Sequence, residues 1–146
     1  MKEFLYKIFI HGVYRFSFIF PRPKNIWVFI GWHTGYDMEI FADNSKYLFL
    51  SVANNYPKIK AVWLAKDKKL AGLLRSRGYT SYYQHSLFGI WHALRAGTTI
   101  IDAYLQPENF CWTGTTRLVQ LLHGKGMKKA GYTQAPMRKQ NYIFSP

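Results

Sequence analysis

The residues best suited to chemistry lie late in the sequence. Leu118-Val119-Gln120-Leu121-Leu122 is an apolar run of strand character, and it stops at His123-Gly124 before a basic cluster of Lys125, Lys128 and Lys129. A neutral imidazole, with a reference pKa of about 6.5, can take a proton from a hydroxyl near neutral pH. Gly124 lets the backbone approach a ligand closely. The N–H groups of a helix start at Lys125, with the ammonium groups of Lys125, Lys128 and Lys129, suit a phosphoryl group that is gaining charge. The chemistry this spacing supports is proton transfer beside a phosphate. From spacing alone His123 reads first as a structural histidine, and Lys128 and Lys129 are equally open to being a solvated face.

The other histidines are scattered. His33, in the stretch Trp32–Asp37, is a secondary candidate, while His11, His85 and His92 read as structural or surface residues. Without metal-ligand spacing, and with Cys111 unaccompanied, no zinc or other metal site is expected. No G-x-G-x-x-G follows the first apolar run and no Walker A motif is present, so neither a dinucleotide nor any other cofactor is expected.

The elements that must position these residues can be read from composition and periodicity. A chain of 146 residues predicts one domain with a real core. One cysteine excludes an internal disulfide framework. Twenty Lys plus Arg against seven Asp plus Glu give a formal charge of +13, which predicts an anionic partner: nucleic acid, a phospholipid surface or a phosphate-bearing substrate. Five Trp, eleven Tyr and eleven Phe suit single-stranded nucleic acid and a membrane interface equally.

The stretch 1–20 is the most hydrophobic. Phe4, Leu5, Ile8, Phe9, Val13 and Phe16 recur at helical spacing, with Lys7, His11 and Arg15 at successive i+4 positions. The charges interrupt a membrane span, which needs about 20 predominantly apolar residues. They also argue against a cleaved signal peptide. Residues 1–23 are expected to form an amphipathic helix, lying on an anionic membrane surface or packed on the domain, and ended by Pro21 and Pro23.

Beyond it, strand and helix patterns alternate. Apolar runs at 25–31 (closed by Gly31), 59–65, 80–84, 98–103 and 115–122 read as buried strands. Helices are expected from Asp43-Asn44-Ser45-Lys46 to Asn55, after Asp67 to Arg77-Gly78, and after Ser86 to Ala96-Gly97. Asp43 or Asn44 is the expected N-cap of the first of these, with ligand contact as their other reading. Alternation at about twenty-residue intervals predicts right-handed βαβ units and a parallel α/β sheet. Open sheets of this kind bind ligands beyond the carboxyl ends of their strands.

Trp27–Gly31 (WVFIG), Asp43–Leu48 (DNSKYL), Ala61–Leu64 (AVWL), Ser86, Val119–Gly124 (VQLLHG) and Met127–Lys129 stand in an order and spacing that resembles the CDP-glycerol glycerophosphotransferases, the teichoic-acid primases and polymerases. The resemblance covers about residues 25–131. The DNSKYL block and the HG-x-x-x-KK turn are its most specific parts, and Leu122 stands where that family usually has Trp. It implies a GT-B-type fold of two Rossmann-like halves, with residues 24–146 forming the N-terminal, acceptor-side half. The implied activity moves glycerol phosphate, or a related alditol phosphate, from a CDP-activated donor to a lipid-linked, phosphate-rich acceptor at the cytoplasmic membrane face. His123 takes the part of the base. Gly31, Asp43, Asn44, Lys46, Gly124, Lys125, Lys128 and Lys129 are candidate substrate-binding residues. The family's C-terminal half, which carries most of the CDP site, is expected from elsewhere, and nucleic acid is not the expected partner. The competing expectation is a non-enzymatic basic α/β module for anionic membrane or nucleic acid.

Overall fold

The structure is a computed structural model that describes residues 2–31, 41–102 and 110–121. Five parallel strands form one sheet in the order β3-β2-β1-β4-β5: β1 (Ile26–Ile30), β2 (Lys60–Ala65), β3 (Ser81–Tyr83), β4 (Thr98–Ile101) and β5 (Arg117–Gln120). α2 (Asp43–Asn55) joins β1 to β2, α3 (Lys68–Ser76) joins β2 to β3, and α4 (Leu87–Arg95) carries the chain from β3 to β4. The arrangement is Rossmann-like, as the alternation of patterns predicts.

Handedness explains where the helices lie. Right-handed crossovers running outward from β1 put α2 and α3 on one face, and the return to β4 puts α4 on the other. The two halves of the core follow. Phe29, Trp63 and Ile100 meet Phe49, Val52 and Leu74 on the α2–α3 face. Val28, Ile30, Val62 and Leu64 meet Ala93 and Ala96 on the α4 face. β1 and β2 are apolar at nearly every position because both of their faces are covered.

Local signals set the ends of the elements. Asp67 caps α3 by accepting the Lys69 N–H at 2.9 Å, and Ser86 caps α4 by accepting the Gly89 N–H at 3.1 Å. Gly78 follows α3 at φ 86°, a conformation that favours glycine. Gly97 admits no side chain, since a Cβ there would run into the Pro23 carbonyl and lie 2.9 Å from Lys24 Cα.

α1 (Lys2–Phe16) continues as a 3-10 turn at Ser17–Ile19. The segment is joined to the α4 face by Tyr14 stacked on Phe110 at 4.7 Å, by Phe20 against Trp91 at 6.3 Å, and above all by Arg22. The Arg22 guanidinium donates to the carbonyls of Ala93 (3.2 Å), Ala96 (3.1 Å), Ser17 (3.2 Å) and Trp112 (2.8 Å). It thereby satisfies the carbonyl end of α4 and ties three separate stretches together. Burial lowers its pKa to about 10, partly offset by Tyr14, so the group stays charged at neutral pH. The sequence offers Arg22 only as a residue between two prolines, and nothing local marks it as a clamp.

His92 is 6 % exposed, its Nδ1–H donates to the Phe88 carbonyl at 2.7 Å, and its ring stacks on Tyr82 at 4.9 Å. Burial lowers its pKa, the positive charges of Lys60 and Arg95 add to this, and the Phe88 carbonyl opposes it. The fold therefore holds the neutral ring while the unfolded chain binds a proton near pH 6.5. This contribution to stability is complete above about pH 6.5 and is lost as the pH falls below it. Urea denaturation from pH 7.5 to 5 should show stability declining on acidification, with a shallower decline in His92→Phe. Identical slopes for the two proteins would refute the assignment.

Candidate active site

Strand order reverses between β1 and β4, and the crevice beyond their carboxyl ends is where open α/β sheets take ligands. Ile30 pairs with Ile101, so the residues that follow, Gly31 and Asp102, leave the sheet side by side; both are buried. Asp102 is 1 % exposed. Its Oδ1 accepts the Ser45 backbone N–H at 2.8 Å, and its Oδ2 accepts the Ser45 hydroxyl. Ser45 is itself fully buried in the first turn of α2.

This contact fixes the crevice. The first four N–H groups of a helix have no partner within it, and a carboxylate beside them is favoured by the helix dipole. At most helix starts the N-cap side chain meets that need. Here the N-cap is Ala42, which has no polar side chain, and Asp102 reaches in from the adjacent strand end instead. The expectation that Asp43 or Asn44 caps α2 is therefore corrected. Asp43 is the first residue of the helix and lies in left-handed space at φ 59°. Aspartate tolerates that region better than most residues, yet it costs on the order of 1–3 kcal/mol. Tertiary contacts must hold the turn in place, and the Asp102–Ser45 pair is one of them.

The structure brings four of the expected site residues to this edge. Gly31 lies at the end of β1, while Asp43, Asn44 and Lys46 lie on the first turn of α2. Asn44 is exposed, and Asp43 and Lys46 are half-buried. The Lys46 ammonium lies 5.4 Å from the Phe41 ring and 5.3 Å from the Tyr47 ring, contacts that restrain a flexible cation. His123, Gly124, Lys125, Lys128, Lys129 and His33 lie outside the described residues. β5, the strand that leads toward His123, is in register with β4, Gln120 beside Ile101, and the Leu121 N–H donates to the Ile101 carbonyl at 2.7 Å. Among the described residues, no group of three or more His, Cys, Asp or Glu could hold a metal ion.

Asp102 is the residue that reading the sequence misses, because it looks like the polar end of the strand TTIIDA. The available signal is an acidic side chain immediately after four buried strand residues, at the carboxyl edge where the sheet reverses.

Comparison with known proteins gives the family. Residues 13–143 match the family model described as CDP-glycerol:poly(glycerophosphate) glycerophosphotransferase. The chain belongs to this family. No curated protein and no solved structure matches it. The matched span of this glycerophosphotransferase-family chain takes in every strand of the sheet, the Asp102–Ser45 contact and the His123–Gly124 pair. The family description names CDP-glycerol as donor and poly(glycerophosphate) as acceptor.

Removing the Asp102 carboxylate strands two buried donors at a cost of about 1–3 kcal/mol each, whereas removing the Ser45 hydroxyl strands one acceptor, the Asp102 Oδ2, at about 1–3 kcal/mol. Urea denaturation at pH 7 should give a loss of about 2–4 kcal/mol for Asp102→Ala and a clearly smaller one for Ser45→Ala. An Asp102→Ala protein as stable as the unsubstituted chain would contradict this account of the crevice.

Proposed function

We propose that the chain is the acceptor-side, GT-B-type half of a transferase that moves glycerol phosphate, or a related alditol phosphate, from a CDP-activated donor onto a lipid-linked polyol-phosphate acceptor in teichoic-acid-like polymer synthesis. The observation that carries the proposal is the family match over residues 13–143 together with the crevice between β1 and β4. In this reading His123 is the base. It stands three positions after Gln120, the last residue of β5, with Leu121 and Leu122 between them.

The acceptor hydroxyl attacks the donor phosphorus that bears glycerol, the pyrophosphate P–O bond breaks, and CMP leaves. His123 takes the hydroxyl proton, a contribution of roughly 10²–10⁴-fold. The negative charge of Asp102 at the helix start works against a phosphate in the crevice. Lys46, Lys125, Lys128 and Lys129 supply the compensating positive charge, and Gly31 and Gly124 let phosphate oxygens approach backbone N–H groups. Asp43 and Asn44 lie on the turn that faces the acceptor. A second half-domain supplies most of the CDP-binding surface.

The reading places the protein peripherally on the cytoplasmic face of a membrane, through the 1–23 segment. α1 exposes Phe4, Leu5, Ile8 and Phe9, with Phe4 67 % exposed, beside the exposed cations Lys7 and Arg15. No described helix is long and apolar enough to cross a membrane.

Two measurements test these proposals. Incubated with CDP-glycerol and a glycerol-phosphate primer, with a family C-terminal half supplied, the chain should release CMP. His123→Ala should lower the rate roughly 10²–10⁴-fold. No release from the unsubstituted chain, with or without that half, would overturn the enzyme reading. In vesicle flotation, Phe4→Ser/Phe9→Ser should abolish association with anionic vesicles. Unchanged flotation would refute the α1 anchor.

A further inference from the structure

A second feature lies at the opposite edge of the sheet. A cleft of about 650 Å³ opens at the amino ends of β1, β4 and β5, lined by Arg22, Lys24, Trp27, Thr98, Thr115 and Arg117, with Gly97 in its wall. Register builds it. Trp27 pairs with Thr98, and Thr98 with Arg117, so these three side chains form a row across three strands on one face. The next residues along that face, Phe29, Ile100 and Val119, belong to the core beneath α2 and α3. The row therefore continues a packed surface out to the open edge, and Arg117 is exposed there.

The described aspartates cluster at one end of the strands, whereas cations lie at both ends, with Lys46, Lys66, Lys68 and Lys69 at the carboxyl edge. The described aspartates, Asp43, Asp67 and Asp102, all lie at the carboxyl edge: at the start of α2, the N-cap of α3 and the end of β4. The amino edge carries cations, namely Arg22, Lys24, Lys58, Lys60, Arg77 and Arg117. Helix ends account for some of them. Arg77 follows the C-terminus of α3, Lys58 follows that of α2, and Arg22 serves the carbonyls of α4. No described helix terminus accounts for Lys24, in the turn before β1, or Arg117, the first residue of β5, which flank the cleft.

We propose that this cleft binds the phosphodiester backbone of a polyol-phosphate polymer, holding the acceptor several repeats back from its reacting end. The inference rests on the function proposed above, which requires an acceptor that is a chain of phosphates. Lys24 and Arg117 provide separated cations for successive phosphates, with Arg117 able to bind one through two N–H groups. The Thr98 and Thr115 hydroxyls donate to phosphate oxygens. The Trp27 indole N–H is committed to the Lys24 carbonyl at 3.0 Å, so its ring serves as an apolar floor against which carbon segments lie. Arg22, committed to four carbonyls, acts as a fixed positive charge behind the site. The five residues of β1 separate the cleft from the crevice by about 16 Å. A polymer must therefore wrap the domain to occupy both, and a single glycerol phosphate cannot.

The test is direct binding of fluorescently labelled glycerol-phosphate oligomers to the full chain, which requires no turnover. Lys24→Gln/Arg117→Gln changes two exposed residues, and Lys58→Gln/Lys69→Gln removes the same charge elsewhere. Circular dichroism confirms that each variant folds. The proposal predicts binding about tenfold weaker in the first variant and near-normal in the second, with the log–log salt slope reduced by about 1.4 in the first. Equal loss in both variants, or loss in neither, would overturn it. So would inorganic phosphate or monomeric glycerol phosphate competing as well as the oligomer, or a DNA oligonucleotide of equal charge binding as tightly. If oligomer binding depends on Lys24 and Arg117 while CMP is never released, this site stands and the transferase reading fails.

Discussion

The carboxylate of Asp102, buried against the first turn of α2, is the contact on which the geometry of the carboxyl edge depends. A helix start brings unpaired N–H groups and a partial positive charge to the point where the sheet reverses. The chain places no capping side chain at Ala42, and it tolerates left-handed backbone at Asp43. One acidic side chain from the neighbouring strand supplies the missing acceptor and is one of the contacts that hold the turn. Because Asp102 follows β4 and Ser45 lies on the helix after β1, their contact spans the switch point itself. The crevice is therefore fixed by a tertiary bond between the two elements that border it, and local helix signals play little part.

A comparable solution operates on the other face. Arg22 collects carbonyls from the end of α4, the 3-10 turn and the stretch before β5, as Asp102 collects N–H and O–H groups from α2. In each case one charged side chain, fully buried in Asp102 and half-buried in Arg22, offsets a helix terminus, the anion at an N-terminus and the cation at a C-terminus. The described aspartates lie at the carboxyl edge, while Lys24 and Arg117 are among the cations of the amino edge.

The strands and helices were legible because their signals are local. Continuous apolar runs mark strands buried on both faces, and each of the five is found within a few residues of its expected position. Asp67 and Ser86 act as the caps their positions suggest, and Gly78 stops α3. Failure began where the deciding partner is distant in sequence. Asp43 and Asn44 look like caps beside their own helix, but the cap comes from a residue 57 positions away. Arg22 reaches carbonyls as far as 90 positions along the chain. The row of Trp27, Thr98 and Arg117 exists only once strand register is known. The family was legible for a different reason, since ordered blocks such as DNSKYL and the His–Gly turn are features of sequence before they are features of shape.

The claim that Asp102 holds the start of α2 can be tested at one atom. First-turn amides of a helix lack intrahelical partners and ordinarily exchange rapidly with solvent. Hydrogen exchange of the Ser45 amide, followed by NMR at neutral pH, should show protection comparable to that of Phe49 and Val52 deep in α2. In Asp102→Asn the Ser45 protection should fall while theirs persists. A Ser45 amide that exchanges freely in the unsubstituted protein would contradict the account.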